Sequence, residues 1–359
     1  MAKRILILCP YPPGQAPSQR FRFEQYIELL SNHGFEVTVK SFISLNTWHI
    51  LYSNGNELKK LIGVGMGFVY RFLLLFRLSR YDFIFIHREV TPVGPPWFEW
   101  VAAKLLSKKI IYDFDDAIWL PNTSMENKLA AFFKWHSKVK SICRWSYRIS
   151  CGNSYLCDYA KPFNSRVALN PTTIDTVDLH NPTLFTKKQN KTTIIGWTGT
   201  HSTLIYLPTL TSVFSLLKEK YGSKIDFLLI ADRPIDLGVE MSFIKWNKGT
   251  EIDDLLKIDI GIMPLVDDHW ANGKCGFKAL QYMALSIPAV VSPVGVNSTI
   301  IQHGQNGFLC ASDQEWVQAL SCLIEDVELR KSIGQAGRKT VEDHYSVKSN
   351  SINFLSLFK

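Results

Sequence analysis

Twelve short runs of apolar or alternating residues punctuate this chain, and each is the length of a buried strand. Six fall in the first half, at residues 4–9, 36–41, 83–86, 110–114, 148–150 and 167–169. Six fall in the second, at 193–197, 226–230, 244–246, 258–263, 289–292 and 307–310. Between them the spacing turns helical. Phe23, Tyr26, Ile27 and Leu30 share one face of a first helix that is expected to start at Arg20 and Arg22 and to close at Gly34. Helices are also predicted over 207–221, 251–256 and 276–284, with Phe277, Leu280 and Ala284 on one side of the last. From Asp313 to Val341 the segments are amphipathic, and 346–359 is a further helix or loop. Strands that alternate with helices predict α/β architecture with parallel sheets.

The alternation halts once. Asn170-Pro171-Thr172 opens a polar stretch, and residues 176–191 have no clear period and carry a basic run. This predicts a first domain over 1–175, a linker over 176–191, a second domain over 192–345, and a tail over 346–359 that packs back on the first domain. The segment 58–80, LKKLIGVGMGFVYRFLLLFRLSR, is helical and unusually apolar. Its glycines do not lie between a strand and a helix, so it is no phosphate loop. It reads either as a buried helix or as an interfacial one whose Lys59, Lys60, Arg71, Arg77 and Arg80 meet lipid phosphates.

Candidate chemistry collects where predicted strands end, the edge at which open α/β sheets bind ligands. Residues 259–295 read as strand, loop, helix and strand. The main-chain N–H groups of Cys275, Gly276 and Phe277 are expected to be available at that helix start, with Lys274 and Lys278 beside them; such a corner suits a diphosphate. Gly199 permits close approach of a ligand to the backbone, and Thr200 or His201 can donate to it. In the first half, the loop PYPPGQAPSQRFR lacks GxGxxG, which argues against a dinucleotide dehydrogenase. Arg20 and Arg22 oppose the dipole of a helix start, so they either hold an anion or form a surface salt bridge. One strand ends in His87-Arg88-Glu89 and the next in Asp115-Asp116. His87 or Asp115 can accept a proton from a hydroxyl. Asp115 also fits a helix cap, and Asp113 a loop support. No third ligand accompanies the aspartates, so no metal site is assigned.

Composition narrows the partners. The net charge is +8 and the pI near 9.0, so an anionic partner is expected: nucleic acid, an anionic membrane surface or a phosphorylated small molecule. The bases are dispersed and no recognition motif is present, which sets nucleic acid aside. The seven cysteines are scattered and read as buried thiols without zinc spacing. MAKRILILCPYPP reads as a first strand, not a signal peptide, and no uncharged apolar run reaches roughly 18 residues. A cytoplasmic protein is expected, with peripheral attachment to the inner membrane face as an alternative. The Asn-x-Ser/Thr triplets at Asn122, Asn190 and Asn297 are then chance matches.

Residues 276–295 follow the pattern G-F-x-x-L-Q-Y-M-A-x-x-x-P-x-V-x-S-x-V-G. With SQRFRF near the N-terminus, YDFDDAIW at 112–119 and NGFLC at 306–310, the chain resembles the GT-B glycosyltransferases, nearest the retaining family 4. The resemblance implies two Rossmann-like domains facing each other across a cleft. It implies a nucleotide-diphosphate sugar as co-substrate and no other cofactor, with transfer to a saccharide or lipid-linked acceptor in bacterial polysaccharide or glycolipid assembly. Family loops usually carry two glutamates eight positions apart; here Gly273 and Gln281 stand in their places. Gln281 can still bond ribose hydroxyls. On this reading Gly199, Thr200, His201, Lys274, Cys275, Gly276, Phe277, Lys278 and Gln281 hold the donor. Arg20, Arg22, Arg88 and Asp116 hold the acceptor, and Lys274, Lys278, Asp115 and His87 serve catalysis. The missing acids also admit a catalytically inactive nucleotide-sugar-binding protein, and an epimerase or phosphorylase on the same fold is a further rival.

Overall fold

The computed structural model describes residues 2–51, 55–121, 134–185 and 191–359. The triplets at Asn122 and Asn190, and residues 186–190 of the expected linker, lie outside the described residues. The chain divides into two compact units. Unit 1 comprises Met1–Thr172 and Asn350–Lys359, and unit 2 comprises Thr173–Ser349.

All twelve apolar runs form strands. In unit 1 these are β1 (Lys3–Cys9), β2 (Phe35–Ser41), β3 (Phe83–His87), β4 (Lys109–Phe114), β5 (Arg148–Cys151) and β6 (Val167–Leu169). In unit 2 they are β7 (Thr193–Gly199), β8 (Ile225–Ala231), β9 (Ser242–Lys245), β10 (Ile260–Met263), β11 (Ala289–Val291) and β12 (Phe308–Leu309). The first sheet runs in the order β2-β1-β3-β4-β5-β6 and the second β12-β11-β10-β7-β8-β9, with parallel pairing throughout. Central strands are covered on both faces, which explains their unbroken apolar runs: Ile5–Cys9 and Phe83–Ile86 are all 0–2% exposed. In each sheet the chain winds one way from its first strand and then returns to that strand's other side. The switch points lie between β1 and β3 and between β7 and β10, where ligands bind in open α/β sheets.

The helices that matter below are α1 (Ile27–Asn32), α2 (Glu57–Leu75), α3 (Thr211–Tyr221), α4 (Phe277–Ala284), α5 (Asp313–Glu325), α6 (Val327–Thr340) and α7 (Val347–Ser356). Ser312 and Glu315 form a reciprocal capping box at the start of α5. The core of unit 2 packs α3 and α5 on the sheet through Phe214, Phe227, Trp197, Trp316 and Leu320. From α7, Phe354 stacks on Tyr26 at 4.1 Å, while Phe358 meets Phe83 and Phe85; these residues belong to unit 1.

Three expectations are corrected. The first helix does not start at Arg20 and Arg22: Pro17–Arg20 is a separate turn, and α1 begins at Ile27. The described part of 176–191 is not a loose connection. Thr176 and His180 are buried, and the Arg338 side chain donates to both of their carbonyls, which ties the segment to α6 within unit 2. The apolar helix α2 is not buried. Only Gly67 and Arg71 along it are, and most of its large apolar side chains are exposed. All seven cysteines are free thiols, and only Cys322 is exposed.

Candidate active site

At the switch point of unit 2, contacts too close for any extra side chain press α4 against β10, and β7 against the residue just before β10. A Cβ on Gly261 would lie 2.4 Å from the Tyr282 ring, and one on Gly196 2.4 Å from Ile258. The Tyr282 hydroxyl accepts the Thr198 N–H at 2.9 Å, and burial pushes its pKa up, so the phenol stays neutral. Helix α4 begins near the end of β7, where its Lys278 meets Gly199 and Trp197. Gly276 supplies the turn into it with φ +67, a left-handed conformation suited to glycine. Gly295, at φ +56, lets the loop after β11 approach Asn272: a Cβ there would be 3.1 Å from its Cα.

The two lysines expected to hold a diphosphate flank this corner. Lys278 Nζ lies 5.3 Å from the Trp197 ring centroid, and its Cε is 2.8 Å from where a Cβ on Gly199 would sit. Lys274 Nζ lies 5.6 Å from the Trp270 ring. Lys274, Cys275, Phe277 and Lys278 each engage neighbours inside the protein, so an incoming anion joins or replaces existing contacts. This modifies the expectation of idle groups at the helix start. Thr200 and His201 follow β7 at the same sheet edge. His201 Nδ1 is 2.6 Å from Asp232 Oδ2, and both side chains are about half exposed.

Gln281 is not poised at an open surface. It is 3% exposed, and its Nε2 lies 3.3 Å from both Glu251 Oε1 and His180 Nε2. The reason is that α4 is buried all round from Ala279 to Ala284, so no face of it there is open to a ligand. The expected ribose contact becomes an internal bridge between α4, the helix Glu251–Leu255 and the segment around His180.

The edge of unit 1 is charged but internally paired. Arg22, expected to meet an acceptor, is 1% exposed and clasps Asp113 and the Asn170 carbonyl. The Ser150 hydroxyl donates to Asp113 at 2.6 Å, and His87 Nδ1 approaches the same carboxylate at 2.8 Å. Burial alone would raise the pKa of Asp113, but Arg22 and His87 hold it well below the usual carboxylate range. Asp113 thus holds the His87 ring through Nδ1, and Nε2 is the ring's second polar atom. That Nε2 is buried without a hydrogen-bond partner among the described residues.

Arg88 is held by both acids of the Asp115-Asp116 pair, at 2.7 and 2.5 Å. Asp115 is therefore an ion-pair partner and not a lone base. Burial would raise its pKa, and Arg88 lowers it. Arg88 has φ +59, strained for a residue with a Cβ, and is pinned there by its N–H to the Asp113 carbonyl and by the Tyr112 hydroxyl on its own carbonyl. Arg20 rests with its guanidinium 5.0 Å from the Phe21 ring. Sequence reasoning missed Ser150 and Asn170 as partners in this network. The available signal was a polar residue at the carboxyl end of each strand. Among the described residues, no three His, Cys, Asp or Glu gather to hold a metal ion.

Across the whole chain, sucrose-phosphate synthase from Thermosynechococcus elongatus superposes with a TM-score of 0.68 at 14% identity, covering 99% of this chain and 98% of that one. A glycosyltransferase from Rickettsia africae gives 0.69 at 14% identity, covering 100% and 98%. The fold is GT-B. Residues 234–340, inside unit 2, match the family described as Glycosyl transferases group 1. This GT-B segment includes the whole corner from Lys274 to Gly295. A curated relative, the N-acetyl-alpha-D-glucosaminyl L-malate synthase of Bacillus anthracis, is 28% identical over 127 residues; the match spans 34% of this chain and 32% of the synthase. HepE from Anabaena, in complex with UDP-glucose, superposes on the GT-B chain with a TM-score of 0.60 at 15% identity, covering 98% and 99%.

Proposed function

We propose that this GT-B chain transfers a sugar, a hexose by preference, from a nucleotide-diphosphate sugar to an acceptor hydroxyl, with retention at the anomeric carbon. The observation that carries the reading is the meeting of Lys278, Gly199 and the start of α4 at the β7–β10 switch point, within the segment that matches the glycosyltransferase family. Departure of the diphosphate builds negative charge on its oxygens. The positive end of α4 with Lys274 and Lys278 opposes that charge, each oriented group contributing roughly 2.7–4 kcal/mol by analogy with oxyanion holes. We assign acceptor recognition to the charged edge of unit 1, around the ion-paired Arg88 and Asp116. A saccharide or lipid-linked acceptor in polysaccharide or glycolipid assembly fits the basic charge and the apolar helix α2. HepE with UDP-glucose and a starch synthase with ADP support the class of donor, not its identity.

A thermal-shift screen with UDP-, GDP-, ADP- and CDP-linked sugars, followed by transfer assays, tests this. One donor should raise Tm, and Lys274→Ala and Lys278→Ala should each lower kcat about a hundredfold with little change in acceptor KM. Wild-type rates in both variants would reject the assignment. The internal bonding of Gln281 favours a second reading, donor binding without catalysis. A thermal shift with neither transfer nor donor hydrolysis would establish it.

A further inference from the structure

Helix α2 is amphipathic in the wrong sense for a helix on a soluble domain. Its inward side is lined by Gly63, Gly67 and Arg71, spaced four apart. The glycines admit close packing: a Cβ on Gly63 would lie 2.4 Å from Thr47 Oγ1, and one on Gly67 2.7 Å from the Phe42 carbonyl. Arg71, 2% exposed, reaches beneath the helix and donates to the carbonyls of Cys9, Lys40 and Val90 at 3.1 Å each. The outward side carries Leu61, Ile62, Val69, Phe72, Leu73 and Phe76, which are 49–74% exposed. At 3.6 residues per turn these six fall within an arc of about 120°. Ordinary surface helices put such residues inside. Contiguous apolar patches of this kind mark interaction sites.

Charge identifies the partner. Over residues 57–80 the only acid is Glu57, which is paired with Lys60 at 2.9 Å. Lys59 is exposed at one end of the apolar face, and Arg77 and Arg80 at the other. With Arg71 turned inward and Lys60 paired with Glu57, the exposed Lys59, Arg77 and Arg80 lie at the two ends of the apolar side. The adjacent helix Trp97–Trp100 packs on α2 and exposes Trp100, with Lys104 exposed just beyond. Among the described residues no helix is long and apolar enough to cross a membrane.

We propose that the outer face of α2 docks unit 1 on an anionic lipid bilayer, the apolar side chains entering the headgroup boundary and Lys59, Arg77 and Arg80 meeting lipid phosphates. The docking does not depend on the transfer reaction and is measured with no sugar nucleotide present. The test is flotation of the full chain with equimolar phosphatidylcholine–phosphatidylglycerol vesicles and with pure phosphatidylcholine vesicles. Binding is expected on the anionic vesicles, weaker on the neutral ones, and weaker again in about 0.5 M salt, where screening is short-ranged. The pair Phe72→Glu and Leu73→Glu should abolish it. The pair Arg77→Gln and Arg80→Gln, which leaves the apolar face intact and covers the case in which the first pair misfolds, should weaken it about thirtyfold. No binding to anionic vesicles overturns the proposal. So does unchanged binding in both variant pairs, or a dimer in sedimentation that the glutamates disperse, which would assign the face to a second copy of the chain.

Discussion

The two units share a plan of six parallel strands with one switch point each, yet their ligand edges are filled in opposite ways. Unit 1 fills its edge with charge: Arg22, His87, Asp113 and Arg71 are all 0–2% exposed and bonded to one another or to strand-end carbonyls. Unit 2 fills its edge with backbone. Gly199, Gly276 and Gly295 stand where a Cβ would collide with a neighbour, and the lysines lie over indoles. A buried ion pair is costly to assemble and costlier to break, so it fixes geometry. A lysine over an indole gains about 0.5–1 kcal/mol at an exposed site, which an arriving phosphate can outbid. The first edge is fixed by its own pairing, and the second is built of backbone and exchangeable lysine contacts.

The comparison is most severely tested at Asp113. Asp113→Asn leaves Arg22 buried beside a neutral amide and should cost about 3–5 kcal/mol in urea unfolding. The pH dependence has a defined sign. The folded pKa lies below the unfolded 3.8, so the stabilisation is present above that value and is lost as pH falls through the folded pKa. The variant should therefore close part of its deficit in strong acid. A loss below about 1 kcal/mol would show that the unit 1 network is not a structural keystone.

Unit 1 also buries a carboxylate outside that network, Glu99 of the helix Trp97–Trp100. It is 1% exposed, and burial pushes its pKa up to about 7 despite the main-chain N–H groups of Glu99 and Val90 and the nearby Lys138. Here the folded pKa is above the unfolded 4.5, so stability is full below 4.5 and declines as pH rises through about 7. Glu99→Gln should gain up to about 3 kcal/mol at pH 8 and almost nothing at acid pH. Equal effects at both pH values would mean that the carboxyl is not the strained group.

The strands were legible because burial on both faces writes itself as consecutive Ile, Leu, Val and Phe, a signal local in sequence. The loop with Lys274 and Lys278 was legible for the same reason, since strand, glycine and helix follow one another directly. What could not be read was pairing at a distance. Arg22 and Asp113 are 91 residues apart, and Gln281 and His180 are 101 apart. Arg22 and Gln281 looked like ligand contacts until the fold supplied their partners. Arg71 misled in another way: read as one of five cations for lipid phosphates, it is turned inward and bonded to three main-chain carbonyls.

The smallest effect tests the open edge of unit 2. Gly276→Ala forces φ +67 on a residue with a Cβ, a conformation that costs roughly 1–2 kcal/mol. It also drives the new methyl to 2.4 Å from Ile300 Cδ1. The isoleucine end can yield, so a total loss of about 2 kcal/mol is expected. Adding Ile300→Val removes the struck methyl and should return the packing share, leaving about 1 kcal/mol of backbone strain. Both variants reshape the turn that aims α4 at the switch point, so donor affinity in titration calorimetry should fall in each, the double variant included. If stability falls as described while donor affinity holds, α4 is packed by glycine for structural reasons alone, and the edges of the two units differ in construction but not in the work they do.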